Sequence, residues 1–325
     1  MSQAPLLEVR DLHTYLFPRR GVIRAVDGVS FTLHRGETLG LVGESGCGKT
    51  MTALSLLRLV PQPVARIVKG EIWLEGEDLL QKSEREMRRI RGRKIAMILQ
   101  DPQTSLNPVL TVGTQLIEAL ALQGREASSR LVARAVELLQ RVRVADAARR
   151  LRHYPHQLSG GMKQRVVGAI AMAGNPQVLI ADEPTTALDV TIQLQYLNLL
   201  KELQAQTAMA LLFITHDFGV VAHTCDRVAV MYAGRIVESG PVRAVFNRPA
   251  HPYTQALIAA VPSLDEPVER LDTIEGQPPA PEAFPAGCRF HPRCPYAEPR
   301  CHQDYPPTLP VADGHTAACW RLAAP

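Results

Sequence analysis

Residues 43–50 carry the clearest chemical pattern in this chain. They spell Gly-Glu-Ser-Gly-Cys-Gly-Lys-Thr, which is glycine, four free positions, glycine, lysine and then a hydroxyl residue. Glycines let successive backbone N–H groups point at a polyphosphate, the lysine neutralises its charge, and the hydroxyl ligates the accompanying Mg²⁺. The pattern therefore predicts a phosphate-binding loop in which Lys49 and Thr50 serve a nucleotide and its magnesium ion.

A second set of candidate groups lies where two apolar runs end in polar side chains. Residues 178–181 lead directly into Asp182 and Glu183, and residues 211–215 lead into His216. Such unbroken apolar runs are typical of strands covered on both faces, and open α/β sheets bind ligands at the carboxyl ends of their strands. Asp182 is thus a candidate Mg²⁺ ligand, and Glu183 is a candidate general base for an attacking water.

Four of the six cysteines cluster late in the chain, at Cys288, Cys294, Cys301 and Cys319. These cysteines lie in a proline-rich region with few expected core residues, in a protein that we expect to be cytosolic. Clustered cysteines in such a setting more often bind a metal than form disulfides. The gaps of five, six and seventeen residues lack the paired two-residue spacing of zinc ribbons, whereas four thiolates suit a [4Fe–4S] cluster. The pattern favours the iron–sulfur cluster, with zinc and free or redox-paired cysteines as the alternatives.

Composition limits the class of protein. The chain has 325 residues, 46% of them hydrophobic and 21% charged, with a net charge of +4. This charge is too small to indicate nucleic-acid binding. No apolar run approaches the length that crosses a bilayer, and the N-terminus lacks the features of a signal peptide. We expect a cytosolic protein with one large and one small domain, which reaches a membrane only through a partner.

An α/β core must position these groups. A strand over residues 37–42 and a helix over residues 49–60, stopped by Pro61, would place the loop at a helix N-terminus, which favours anions. Runs of strand-forming residues predict further strands over residues 6–12, 29–33, 71–74 and 95–99, with a connection or strand at residues 22–26. A turn at Ala233 and Gly234 predicts a hairpin between residues 228–232 and 235–238.

Two regions depart from this core. Apolar residues recur at helical spacing over residues 111–150, which predicts a helical insertion that ends at the segment 158–161 and opens another helix there. Twelve of the 25 prolines lie between residues 261 and 310, where few stretches could sustain a helix or a central strand. We therefore expect residues 242–325 to form a loop-rich, lightly cored extension.

Taken in order, these motifs resemble the ATPase subunits of ABC transporters over about residues 5–245. Gln100 matches the glutamine loop of that family, and residues 158–161, Leu-Ser-Gly-Gly, match its signature. Residues 182–183 match the end of the Walker B strand, residues 187–189 the D-loop, and His216 the switch histidine. The segments 100–108, 154–162, 181–191 and 248–257 are more closely similar to the importers of dipeptides and oligopeptides.

This resemblance implies a fold class and a domain plan. The fold is an α/β P-loop NTPase core of the ABC type, with a helical subdomain and an antiparallel β subdomain, plus a small loop-rich C-terminal extension. The ATPase domain would occupy residues 1–241, with the helical subdomain at about 103–175. Residues 242–325 would form the extension of the peptide-importer branch, whose four-cysteine tail is associated with an iron–sulfur cluster.

The resemblance also implies a role for each matched residue. The catalytic residues would be Glu183, His216 and Gln100, and the Mg²⁺ ligands would be Thr50, Gln100 and Asp182. ATP would contact the loop at Gly43, Glu44, Ser45, Gly46, Cys47, Gly48, Lys49, Thr50 and Met51. Leu16 aligns with the adenine-stacking ring of the family, and the aromatic residues Tyr15 and Phe17 lie on either side of it. Tyr15 is the ring that we expect to stack, with Phe17 as the alternative. Ser159, Gly160 and Gly161 would close over ATP held by the other subunit of a head-to-tail dimer.

The function implied is ATP hydrolysis that energises the uptake of dipeptides or oligopeptides. The partners would be a homologous second ATPase subunit, two membrane permeases and, through the complex, an extracytoplasmic solute-binding protein, without nucleic acid. The subunit would lie peripherally on the cytoplasmic face of the inner membrane. The same role for nickel, glutathione or another small solute is one alternative. A soluble, non-transport ABC ATPase is a weaker one.

Overall fold

The structure is a computed structural model that describes residues 4–19, 21–124, 127–186, 188–261 and 274–323. The strands in the described residues are β1 Leu7–Leu16, β2 Ile23–Leu33, β3 Thr38–Val42, β4 Ala65–Leu74, β5 Glu77–Asp78, β6 Ile95–Ile98, β7 Val178–Asp182, β8 Ala210–Thr215, β9 Arg227–Tyr232, β10 Arg235–Pro241, β11 Leu309–Ala312 and β12 His315–Ala317. The helices are α1 Lys49–Leu56, α2 Glu84–Ile90, α3 Pro102–Ser105, α4 Val112–Ala121, α5 Ser128–Arg141, α6 Ala147–Arg150, α7 Gly160–Met172, α8 Val190–Thr207, α9 Phe218–Thr224, α10 Val242–Asn247, α11 Pro252–Ala259 and α12 Pro299–Gln303.

Contacts divide the chain into two compact units. The described part of the first contains residues 34–37 and 81–213, and that of the second contains residues 4–33, 38–80 and 214–323. In the first unit, β6 pairs with β7 in parallel, with Ile95 opposite Val178, and β8 follows β7 in the strand order. Every residue of β7 is buried, as expected for a parallel strand with both faces covered.

The helices α4 to α7 occupy the region where the sequence predicts a helical insertion. Thr111 caps α4 by accepting a hydrogen bond from the Thr114 backbone N–H, and Ser159 caps α7 in the same way through Met162. Most of the apolar residues of α4 and α5 at helical spacing are buried, among them Leu116 and Leu139, whereas Val132 is 44% exposed. The predicted helical character of this segment is confirmed.

The second unit contains an antiparallel sheet of order β2–β1–β4–β5 and a run of strands of order β11–β12–β10–β9–β3. The hairpin between β9 and β10 turns at Ala233 and Gly234, whose φ angles are 45° and 84°. Two successive positive φ angles match the twist of a two-residue hairpin turn. Strand β12 pairs with β10, so the C-terminal extension contributes directly to this sheet.

Two local predictions differ from the structure. The two segments predicted at residues 22–26 and 29–33 form the single strand β2. Helix α1 ends at Leu56, well before Pro61, because Arg58 takes a left-handed φ of 51° and its guanidinium donates to the Leu79 carbonyl. The extension shares a buried aromatic core with β9.

That core depends on aromatic side chains that lie far apart in the sequence. The rings of Tyr232, Tyr253 and Phe290 are fully buried, with centroids 4.5 to 5.4 Å apart. Tilted and edge-on pairs at these separations stabilise a core beyond the area that they bury. Because isolated aromatic residues leave no periodic signal, the sequence does not predict this cluster. Most other described residues of the extension are partly or fully exposed, which agrees with the predicted lightly cored extension.

Candidate functional site

The predicted phosphate loop lies between β3 and α1, and its glycines are required by close backbone contacts. The φ angles of Gly43 and Gly48 are 153° and 110°. A Cβ atom on Gly43 would lie 2.1 Å from the Met231 carbonyl oxygen, and one on Gly48 would lie 2.2 Å from the Ala25 carbonyl oxygen. Only glycine fits both the space and the backbone conformation at these two positions.

The lysine of the loop is held by the loop itself. Lys49 is 6% exposed, and its ammonium donates to the carbonyl oxygens of Gly43 at 2.7 Å and Glu44 at 3.0 Å. Burial raises the pKa of the neighbouring Cys47 thiol, although the Lys49 charge opposes this shift. Ser45, Gly46 and Thr50 are exposed, and Met51 is half-buried. The exposed face of the loop therefore consists of backbone and hydroxyl groups suited to an anion.

Two residues outside the predicted site hold the loop at Glu44. The Tyr253 hydroxyl accepts a hydrogen bond from the Glu44 backbone N–H at 2.9 Å. The Arg293 guanidinium donates to both carboxylate oxygens of Glu44, at 2.7 and 3.1 Å. Sequence reasoning missed both contacts because they join residues more than 200 positions apart, where no local pattern pairs an arginine with its carboxylate.

In the first unit, the structure brings two of the predicted catalytic side chains together. The amide of Gln100 donates to the Glu183 carboxylate at 2.9 Å, and Thr186 donates to the same oxygen at 3.1 Å. Glu183 has a left-handed φ of 46°, which is a strained conformation for a residue other than glycine. Strain of this kind is concentrated at functional sites. Asp182, which precedes it, is buried at the end of β7.

The signature residues form an exposed helix N-terminus. Ser159 and Gly160 are exposed, and Gly161 is half-buried next to Ile192. The unsatisfied backbone N–H groups of the first turn of α7 give this surface a partial positive charge. The predicted D-loop begins at Ala187, which lies outside the described residues, and its Asp189 caps α8 by accepting from the Ile192 N–H.

The remaining predicted nucleotide contacts belong to the second unit. His216 is exposed immediately after β8. The Tyr15 hydroxyl donates to Asp27 at 2.6 Å, and its pKa is raised to about 12 by burial and by this bond to a carboxylate. The neighbouring ring of Phe17 is 42% exposed. Adenine stacking by Tyr15 stays a prediction.

Asp27 is the centre of a buried polar cluster that includes the extension. Its carboxylate accepts from Tyr15 and from the guanidinium groups of Arg235 and Arg289. Burial alone would raise the pKa of Asp27, but these hydrogen bonds and positive charges outweigh it and hold that pKa well below its usual range. Asp27 is therefore charged, and it links β2 to Arg289 in the extension.

The four clustered cysteines surround one small cavity. Cys288, Cys294, Cys301 and Cys319 line a space of about 20 Å³, and all six cysteines are free thiols. Burial, with smaller contributions from the other three thiols, raises the pKa of Cys288 to about 11. Within the described ranges, however, no group of three or more histidine, cysteine, aspartate or glutamate residues is placed to hold a metal ion. The predicted metal centre is not confirmed.

No helix in the described part of the chain is long and apolar enough to span a membrane.

Two family profiles match this chain. The profile described as "ABC transporter" matches residues 26–186. The profile described as "Oligopeptide/dipeptide transporter, C-terminal region" matches residues 237–301. The first match contains the phosphate loop, Gln100, the signature and Glu183. The second contains Arg289, Arg293 and three of the four clustered cysteines.

Similar proteins match along nearly the whole chain. A probable peptide ABC transporter ATP-binding protein, y4tR, of Sinorhizobium fredii is 52% identical over 97% of this chain and 95% of its own length. The oligopeptide transport ATP-binding protein AppD of Bacillus subtilis is 48% identical over 97% of this chain and 96% of its own length. These likenesses include the C-terminal extension.

Solved structures match over a shorter part. The dimeric structure of MJ0796, a bacterial ABC transporter cassette, has a TM-score of 0.65 and 27% identity, and covers 73% of this chain and 99% of its own. The same cassette in a post-hydrolysis state, bound to ADP and Pi, gives a TM-score of 0.65 at 26% identity. These matches confirm the predicted fold class, an α/β P-loop core.

Proposed function

Because this chain belongs to the family of ABC transporter ATP-binding proteins, we propose that it hydrolyses ATP to drive the import of dipeptides or oligopeptides. Its class as an ABC ATPase follows from that membership. The substrate is supported by relatives named as peptide and oligopeptide transport proteins, and by the profile that matches residues 237–301. These similarities favour peptides over nickel or glutathione.

We propose a matching division of the chain. Residues 1–241 form the nucleotide-binding domain, with a helical subdomain at about 103–175, and residues 242–325 form the extension of the peptide-importer branch. The cluster of helices α4 to α7 supports the first assignment. The second is supported by the position of the C-terminal profile.

The phosphate loop binds the triphosphate of ATP. Loop N–H groups and the Lys49 ammonium neutralise the β- and γ-phosphates, and charge neutralisation is most of what phosphoryl transfer requires. The two carbonyl groups that hold Lys49 keep its ammonium within the loop before the nucleotide arrives. Thr50, Asp182 and Gln100 are the residues that would hold Mg²⁺, whose chemistry is to neutralise charge on the phosphate oxygens.

The hydrogen bond from Gln100 to Glu183 is the observation that best supports the proposed hydrolytic step. It joins two motif residues 83 positions apart and fixes the carboxylate that must accept a proton from the attacking water. Glu183 is the general base in this proposal, and Gln100 and His216 orient the water or contact the γ-phosphate. Since Gln100 also begins the segment that leads into the helical insertion, it is placed to report nucleotide state to that insertion.

A dimer completes the site. Ser159, Gly160 and Gly161 close over ATP held by a second, homologous ATPase, because their exposed helix N-terminus is suited to phosphate oxygens. Loss of the γ-phosphate then weakens the closed dimer. Two permeases and an extracytoplasmic solute-binding protein complete the assembly, with this subunit peripheral on the cytoplasmic face of the inner membrane.

The four-cysteine set would hold a metal centre, either a [4Fe–4S] cluster or zinc. Four thiols around one cavity are a suitable donor set. Since no three are already placed as ligands in the described ranges, metal binding would draw the thiols together and deprotonate them. Visible absorption, iron and zinc should be measured after anaerobic purification. A colourless protein with stoichiometric zinc would exclude the iron–sulfur cluster.

The hydrolytic role is tested with Glu183→Gln. We expect unchanged ATP affinity and a turnover that is lower by at least about 100-fold, since a positioned general base contributes about that much or more. The matched control is Glu202→Gln, which removes a surface carboxylate paired with Arg143 and should retain turnover. Near-normal hydrolysis in Glu183→Gln would remove Glu183 as the base.

The transport role is tested by affinity purification of the tagged chain from its native membranes. We expect two permeases and a second ATPase to copurify, and peptides presented with their solute-binding protein to stimulate ATP hydrolysis. Stimulation by nickel or glutathione instead of peptides would change the substrate. Copurification of ribosomes or DNA-repair proteins without permeases would overturn the transport role.

A further inference from the structure

We propose that Arg293 and Tyr253 of the C-terminal extension are positioning residues for ATP binding, which act by holding Glu44 of the phosphate loop. The inference rests on the proposed function, because it assigns these two residues to the same nucleotide site. Its physical basis is that three different polar groups of Glu44 each have a separate, well-defined partner.

Glu44 has hydrogen-bond partners in the phosphate loop and in the C-terminal extension. Its backbone N–H donates to the Tyr253 hydroxyl, its carbonyl accepts from the Lys49 ammonium, and its carboxylate accepts from the Arg293 guanidinium. Glu44 therefore links the lysine that receives the phosphates to two side chains of the extension. A displacement of Glu44 would also displace one of the two carbonyl groups that hold Lys49.

Arg293 is itself fixed before it reaches the loop. Its side chain is 4% exposed, and it also donates to the backbone carbonyls of Glu275 and Ile274. The two bonds to Glu44 use both oxygens of the carboxylate, a paired geometry that fixes orientation as well as distance. The half-buried Glu44 consequently has a defined position that does not depend on bound nucleotide.

The contact between Arg293 and Glu44 also neutralises a negative charge in the loop. A carboxylate within a phosphate loop would repel the triphosphate, and the guanidinium of Arg293 neutralises it. Without Arg293, the negative charge of Glu44 would remain beside the site where the anion binds. Loss of an arginine that only stabilises the extension would leave the charge of the loop unchanged. Loss of Arg293 instead leaves the Glu44 carboxylate without its counter-charge.

The test measures the dissociation constant of MgATP and the steady-state kinetics of the full-length protein. We expect Arg293→Gln to weaken ATP binding about tenfold, which corresponds to about 1.4 kcal/mol, and to raise KM with little change in kcat at saturating ATP. Tyr253→Phe, which removes only the hydroxyl, should weaken binding in the same direction but less. The matched control is Arg300→Gln, since Arg300 pairs with Glu298 in the same extension and does not contact the loop.

The diagnostic result comes from the Glu44→Gln background. There, adding Arg293→Gln should change ATP affinity by less than about twofold, because coupling between contacting residues makes their effects non-additive. If Arg293→Gln proves unstable, Arg293→Lys keeps the charge but loses the paired geometry. It should then weaken ATP binding in the wild-type background and change it by less than about twofold in the Glu44→Gln background.

Three results would overturn the inference: wild-type affinity in Arg293→Gln, an equal loss in Arg300→Gln, or a full tenfold loss that persists in the Glu44→Gln background. Failure of the wild-type protein itself to bind MgATP would instead overturn the proposed function.

Discussion

The phosphate loop and the four-cysteine segment are both candidate binding sites, yet their geometries are determined in different ways. In the loop, consecutive residues fix the conformation: Gly43 and Gly48 lie against the Met231 and Ala25 carbonyls, and Lys49 bonds back to the loop. In the extension, the cysteines are spread over residues 288–319 and share a cavity without forming a ligand set in the described ranges.

The difference shows what a local motif specifies. Eight consecutive residues prescribe their own backbone path, so that the type and spacing of those residues predict the conformation of the loop. Four dispersed residues depend on the packing of everything between them, here including the buried ring of Phe290 and the Asp27–Arg289 pair. Substitutions in the two regions should therefore differ in their effects on ATP binding, stability and thiol reactivity.

The largest effect should come from Gly48→Ala in the phosphate loop. The new Cβ would meet the Ala25 carbonyl oxygen at 2.2 Å at a φ of 110°. Strain and overpacking together would cost about 2–6 kcal/mol, and we expect ATP binding to fall by at least about 30-fold. Nucleotide titration of the purified variant measures this loss.

Gly46→Ala is the matched control. Gly46 also has a left-handed φ, 79°, but no atom lies within 4 Å of its would-be Cβ. It should carry only the conformational cost of about 1–2 kcal/mol and bind ATP distinctly better than Gly48→Ala. Equal losses in the two variants would show that contact with Ala25 does not determine the loop.

The second effect concerns the attachment of the extension at Asp27. Asp27→Asn leaves the buried guanidinium of Arg289 without its counter-charge, which should lower the free energy of unfolding by about 3 kcal/mol at pH 7. Because the folded-state pKa of Asp27 is lowered, its contribution is complete above the unfolded-state pKa of about 3.9 and is lost as the pH falls further.

Denaturant unfolding at several pH values measures this contribution. The gap between wild type and Asp27→Asn should be widest near neutral pH and should narrow below about pH 4. A gap that is constant with pH would mean that Asp27 is not stabilised as a carboxylate. Asp313→Asn is a suitable control, since Asp313 is an exposed residue in the turn between β11 and β12.

The smallest effect is expected at the cysteines. In metal-free protein, burial raises the pKa of Cys288 to about 11, and the thiolate is the form that reacts. Alkylation of Cys288 should therefore accelerate about tenfold per pH unit through neutral and moderately alkaline pH. Peptide mass mapping of the labelled protein measures the rate, and fast labelling near pH 7 would contradict a buried thiol.

The sequence predicts the phosphate loop and the central strands well because the loop motif is contiguous and β7 and β8 are apolar along most of their length. The phosphate loop, the helix that begins at Gly160, and the hairpin at Ala233 all have local signals. The contacts of Arg293 with Glu44 and of Arg289 with Asp27 have none, because they join residues separated by more than 200 positions.

Two surfaces of this chain are central to the proposed function: one binds MgATP, and the other completes the site of a second ATPase. The most direct measurement is a structure of the assembled transporter with Glu183→Gln and bound ATP. We predict that the Ser159 hydroxyl lies within hydrogen-bond distance, about 2.5–3.2 Å, of a γ-phosphate oxygen of the nucleotide held by the partner subunit. A closed, ATP-loaded assembly in which Ser159 lies far from every triphosphate would contradict the account.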